Sequence, residues 1–375
     1  MELRKLQENE HIFTRKLWEE VFVEDTEEFL DYYYFLKTRD NEIFVIEEDG
    51  QIRSMLHLNP YLIAVEEAKF EGHYIVAVAT EEKYRKRRYM QKLLCTSMRE
   101  MYNRKEPFTF LMPAAEAIYA PYDFRFVYDQ KKCKITGNPG TLQIELKDAS
   151  ILDIPAMVHF FEEHVASKHQ VYAVRDKKYY STVLLEQQSQ RGGIMLMKSG
   201  TDIVGMFFYS WEGEFAVREP LFLEEYEAEF YKAVYVMKKA QEQVQIYAAS
   251  GNACEMEKQP MIMARILHLE SFLSLLKVKA GESLDCSFAV LDAVIMKNSK
   301  VWRLTAGQDG EQKVNVRETE DSEGVLTIAA LTSFAFGYKT VEEIQNEENV
   351  FLTDRLAFEL NKIEPLKNVF LNEVV

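Results

Sequence analysis

Five basic residues occupy the six positions Lys83–Arg88, interrupted only by Tyr84. Before them runs a β-branched stretch, Ile75-Val76-Ala77-Val78. After them Tyr89, Met90, Leu93, Leu94, Met98 and Met101 fall largely on one face of a helix. A strand, a turn and a helix in that order place unpaired backbone N–H groups and partial positive charge at the helix mouth. Arg85, Lys86, Arg87 and Arg88 add cations that bind phosphate oxygens. A charge run alone reads as a solvated helix start; with the strand and helix in place, the spacing predicts a phosphate site. The strand edge Val76–Val78 is suited to pair with an amide-rich arm. A diphosphate beside an extended pantetheine arm is what coenzyme A presents.

The elements around this stretch predict a helix-flanked mixed sheet, an α+β or α/β layer. Helices are expected at 15–23 and 27–36, then a hairpin turning at Asp49-Gly50. Strands follow at 61–66, 73–79, 108–112 and 124–128. Gly137-Asn138-Pro139-Gly140 marks a break. The segment beyond it repeats the plan without the letters: helices at 154–164 and 177–188, a hairpin of 193–199 with 202–211, and helices near 223–240. It has no counterpart of the basic turn. Strands and helices from about 267 onward form a third unit. The expected domains are 1–138, 139–266 and 267–375.

The 375 residues suffice for several cores, and 47% hydrophobic residues argue against disorder. A net charge of −16 speaks against nucleic-acid binding and favours cationic small-molecule partners at any acidic cleft. No apolar run is long enough to span a membrane, and the start lacks the apolar core of a secretory signal. Cys95, Cys133, Cys254 and Cys286 lie far apart and read as reduced thiols of a cytoplasmic protein. The seven histidines show no ligand spacing, so no metal site is expected.

The basic turn resembles that of the GNAT acyltransferases, roughly R/Q-x-x-G-x-G/A between a strand and a helix. Arg88 and Met90 stand where small residues are usual. The resemblance implies acetyl-CoA as co-substrate, held by Val76, Ala77, Val78, Arg85, Lys86, Arg87, Arg88, Tyr89, Met90 and Ala114. The element Ile118-Tyr119-Ala120-Pro121-Tyr122-Asp123-Phe124 resembles one whose tyrosine protonates the departing thiolate, a role implied for Tyr119. "MARILHLESFL" (263–273), "LTSFAFGYKT" (331–340) and the terminal "FLNEVV" are similar to the enhanced intracellular survival (Eis) family over nearly the full length.

That likeness implies two tandem GNAT-like domains, only the first binding acetyl-CoA, and a sterol-carrier-protein-like third domain. It also implies N-acetylation of cationic amines such as aminoglycosides, polyamines or lysines, a hexamer, and the C-terminal carboxylate of Val375 as base. Phe22, Glu24, Asp25 and Tyr33, in the opening helices, would border the acceptor. Arg265 reads as structural, needing a buried partner, and 331–340 as ordinary core. The alternative, favoured by the missing glycines, is a catalytically degenerate scaffold that binds coenzyme A or an acyl lipid.

Overall fold

The computed structural model describes residues 1–135, 139–211, 214–238, 243–249, 256–307 and 311–373. Strand β1 (Glu2–Lys5) and helices α1 (Arg15–Val21) and α2 (Glu27–Phe35) precede β2 (Glu42–Glu48), β3 (Gln51–Val65) and β4 (Ala68–Thr80). Asp49 and Gly50 supply the positive φ of the β2–β3 turn, at 55° and 71°. Helix α3 (Tyr89–Asn103), β5 (Phe108–Leu111), the single turn α4 (Glu116–Tyr119) and β6 (Arg125–Ile135) follow. Strand β3 is one long element; the stretch 61–66 continues it instead of starting a new strand.

The next segment holds β7 (Glu145–Asp148), α5 (Ile154–His164), β8 (Val171–Ala173), α6 (Lys177–Ser189), β9 (Gly193–Ser199), β10 (Asp202–Ser210), β11 (Ala216–Phe222), α7 (Glu227–Met237), β12 (Val244–Tyr247) and β13 (Glu257–Ile266). These strands join the first set in one sheet of order β1-β2-β3-β4-β5-β13-β6-β12-β11-β10-β9-β7, except β8, which pairs off this path with β3. Strand β13 sits between β5 and β6, pairing Met263 with Leu111 and Ala264 with Arg125. The stretch 139–266 is therefore not closed on itself, because its last strand fills a gap in the first sheet.

The C-terminal part begins with α8 (Leu269–Leu273) and β14 (Lys277–Val278). Strands β15 (Leu284–Leu291), β16 (Val301–Ala306), β17 (Asn315–Thr319), β18 (Gly324–Thr327) and β19 (Phe351–Leu352) make a sheet of order β17-β16-β15-β18-β19. Helix α9 (Ile328–Ala335) buries all eight of its residues and packs on β13 and β6. Phe108, Phe110, Ile262, Leu331 and Phe334 share one core, so 331–336 is packing, as the sequence predicts. Strand β20 (Ile363–Glu364) pairs with β14, and β21 (Val369–Phe370) runs parallel to β8. The whole is α+β. Among the described residues no helix is long and apolar enough to cross a membrane.

Cys95 and Cys286 are free thiols, whereas Cys133 is disulfide-bonded, which corrects the expectation of reduced thiols throughout. Cys254 lies outside the described residues.

Candidate functional site: the opening between β4 and β5 and the adjoining acidic cavity

Strands β4 and β5 are in register only at Tyr74↔Phe110. Beyond that point no further β4–β5 pair forms among the described residues, so the two strands part and leave an opening. A bulge sits at its edge: the β3–β4 register shifts between Met55 and His57, and Ala77 takes φ 51°. Val78 and Met90 lie half-buried on the core beneath α3, and Ala114 is exposed past the end of β5.

Arg85, Lys86, Arg87 and Arg88 are all exposed. Arg85 is extended, Lys86 and Arg88 are left-handed at φ 64° and 62°, and Arg88 caps α3 without a side-chain hydrogen bond. Arg88 thus adopts the conformation that a glycine would at about 1 kcal/mol or more of backbone cost. Arg87 stacks on the Tyr84 ring at 4.6 Å; Lys86 and Arg88 make no ion pair among the described residues. Tyr89 is buried, its hydroxyl donating to Glu48.

The second unit provides an internal control. Its strand β11 also carries a bulge, with the β10–β11 register shifting between Met206 and Phe208 and Glu219 at φ 48°. Each bulged strand is followed by a short 3-10 turn, Glu82–Tyr84 in one unit and Glu224–Tyr226 in the other. There they diverge. Helix α7 starts at Glu227, directly after Tyr226, whereas Arg85–Arg88 separate Tyr84 from α3. The four basic residues are an insertion found in the first unit alone, and the first turn of α7 carries Glu227 and Glu229.

Tyr119 ends α4 on the α3 side of the opening, with its ring edge-on to Phe124 at 5.9 Å. Burial pushes its hydroxyl up to about 12. Nearby, the Tyr74 hydroxyl accepts a hydrogen bond from the Met112 backbone.

Met112 and Pro113 also line a cavity of about 340 Å³ between the two units. Its walls carry Gln130, Glu186, Arg218, Glu219, Asn372 and Glu373. The Glu186 carboxyl is pushed up to about 7 by burial, against the pull of Lys37 and Arg218. Burial likewise raises Glu219, with Arg175 opposing. Arg175, 1% exposed, bonds Glu219 through Nε (3.2 Å) and Nη2 (3.1 Å), and its Nη1 reaches Glu373. The C-terminal tail is therefore buried at the wall of this cavity: Leu371, Asn372 and Glu373 are 0%, 8% and 3% exposed. Val375, expected as the base, lies outside the described residues.

The expected acceptor residues are not brought to this cavity. Tyr33 is fully buried. Its hydroxyl contacts His57 (3.2 Å) and Asn59 (3.1 Å) and accepts from Asn41 (3.1 Å), so it is a core residue and not a lining one. Asp25 accepts from the Trp18 indole at 2.7 Å, Phe22 packs against Trp18, and Glu24 is exposed. Arg175, Glu186, Glu219 and Glu373 were not singled out by the sequence. The signals available were an arginine closing a short apolar strand and a Glu-Pro pair inside β11. Arg265 is structural as expected: fully buried, it binds the Tyr122 carbonyl (2.8 Å) and Asp292 (2.6 Å). No group of metal-ligating side chains occurs among the described residues.

Residues 2–127 match the acetyltransferase (GNAT) domain family and residues 269–373 the sterol carrier protein domain family. Three solved structures share the fold. A probable N-acyltransferase of Enterococcus faecalis V583 superposes with a TM-score of 0.84 at 17% identity, over 100% of this chain and 99% of that one. A GCN5-related N-acetyltransferase of Anabaena variabilis gives 0.82 at 14%, and Eis1 of Mycobacterium abscessus 0.73 at 12%, each over 100% of both chains. No curated protein is similar enough in sequence to match.

Proposed function

On the premise that this chain is a GNAT acyltransferase with an Eis-like fold and a sterol carrier protein domain at its C-terminal side, we propose that it moves an acetyl group from acetyl-CoA to a primary amine of a cationic acceptor. The diphosphate rests on Arg85–Arg88 and the free N–H groups at the start of α3. The pantetheine arm lies along Val76–Val78, and the thioester enters the opening between β4 and β5. The acceptor occupies the cavity walled by Glu186, Glu219 and Glu373; Arg175 already pairs with Glu219 and Glu373, so Glu186, which ionises at about 7, is the carboxyl left to meet an ammonium there.

In the reaction the neutral amine nitrogen attacks the thioester carbon, and backbone N–H groups at the bulge stabilise the oxyanion. The carbon–nitrogen bond forms, the carbon–sulfur bond breaks, and the amine proton passes to the Val375 carboxylate. Tyr119 gives its phenolic proton to the sulfur, releasing free thiol, and is reprotonated from solvent.

The observation that carries this reading is the insertion of four basic residues beside the parted strands in one unit and not in its twin. Incubation with acetyl-CoA and a panel of aminoglycosides, polyamines and lysine peptides should release free thiol with at least one of them. The left-handed backbone at Lys86 and Arg88 favours a second reading, a scaffold that has lost transfer. No thiol above background, together with no calorimetric binding of acetyl-CoA, selects that one.

A further inference from the structure

The second unit keeps its bulge with no diphosphate turn behind it, and the bulged residue is a buried glutamate, Glu219, 2% exposed. Its carboxylate does not face an open groove. Oε1 and Oε2 are taken by Arg175, and Oε2 also accepts from Asn372 Nδ2 at 3.1 Å. Asn372 in turn accepts from Gln130 Nε2 at 2.9 Å, which ties it to β6. Arg175 closes the circuit by binding Glu373, while its guanidinium lies over the rings of Tyr179 (4.2 Å) and Phe370 (5.3 Å). Among the described residues, every partner of this buried cation besides the Ala173 carbonyl and the Phe161 ring belongs to α6, the bulge or the tail.

We propose that the degenerate second unit acts as a clamp for the chain's own C-terminal end: Arg175 and the bulge carboxylate of Glu219 are positioning residues that fix Asn372 and Glu373 at the wall of the acceptor cavity. The bulge that holds the thioester in the first unit holds the tail in the second. A pairwise, buried arrangement of this kind selects one geometry, because a displaced Glu373 leaves Arg175 one carboxylate short in a dry site. The kinetic consequence rests on the acetyl-transfer reading; the physical one does not.

Carboxypeptidase digestion followed by mass spectrometry tests the clamp on the full chain. In the native protein, trimming stalls before Glu373. In Arg175→Met and in Glu373→Gln it continues to Leu371 at least tenfold faster, and Arg175→Lys, which keeps the charge without the fork, falls between. Turnover drops at least tenfold in kcat with the KM for acetyl-CoA unchanged, and the double variant is no worse than the worse single one, because both remove one link. Trimming as slow as in the native protein in folded Glu373→Gln overturns the clamp, even where Arg175→Met fails to fold. Faster trimming in a protein that releases no thiol supports the clamp and leaves the transfer reaction as the part that fails.

Discussion

In the proposed reaction Tyr119 is the proton donor, needed only once negative charge has built up on sulfur. Held near 12 by burial, it is fully protonated at neutral pH and gives up its proton only to a strong base, which suits a leaving thiolate better than a resting thioester. Replacing it by Phe keeps the packing against Phe124 and should lower kcat about 100-fold with little change in the KM for acetyl-CoA. Steady-state kinetics of free-thiol release checks both numbers. Glu186 makes a prediction with a definite sign. Its carboxyl titrates at about 7 in the fold instead of near 4.5, so between those values the native state holds a proton that the unfolded chain has released. That contribution is complete below about pH 4.5 and lost as pH rises through 7. Glu186→Gln, which keeps an acceptor for the Tyr32 hydroxyl, should flatten this dependence and raise Tm by about 1–3 °C at pH 8 while changing it little at pH 5. Of these residues only Tyr119 was legible in sequence, because its neighbours Ile118 and Phe124 come with it in the chain. Tyr33 reads differently in the fold for the opposite reason: the Asn41, His57 and Asn59 groups that claim its hydroxyl arrive from strand β3 and from the turn before β2.

At the scale of elements, contiguity again separates what could be read from what could not. The basic turn, the helix face of α3 and the Asp49-Gly50 hairpin are each written in one short stretch. Strand β11 is not, because Pro220 within AVREPLF argues against a central strand; the bulge at Glu219 is what accommodates it. Strand β13 was not expected, and its insertion between β5 and β6 is not written locally, since nothing local specifies a partner more than a hundred residues away. Arg265 anchors that insertion, joining β13 to the Tyr122 carbonyl after α4 and to Asp292 in the C-terminal part. Arg265→Met should strand the Asp292 carboxylate, which would then keep only its bonds from Val294, Ile295 and Asn298. A loss of about 3 kcal/mol is expected in denaturant unfolding, with Tyr119 less well positioned and kcat reduced.

Across the whole molecule, two copies of one plan have diverged toward different tasks within a single sheet. The first copy has gained four cations at a helix mouth in a chain of net charge −16, the feature on which the proposed diphosphate site rests. The second has kept a helix mouth with Glu227 and Glu229, which suits the helix dipole and repels phosphate, and it uses its bulge on the tail. The third part packs α9 onto β6 and β13, so the face that would line an apolar tunnel is spent on the common core. The cavity proposed for the acceptor draws on β6, β11, α6 and the tail, and for that reason no single stretch of sequence announced it. The comparison of the two copies also supplies the most direct test of the coenzyme site. Deleting Arg85–Arg88 would join Tyr84 to Tyr89 as Tyr226 joins Glu227, a connection the fold already tolerates once. Calorimetric titration of this deletion with acetyl-CoA should show affinity weakened at least about 100-fold, at about 1.5 kcal/mol for each of two lost charge-assisted contacts, in a protein that still unfolds cooperatively. Binding as tight as that of the intact chain would contradict the account.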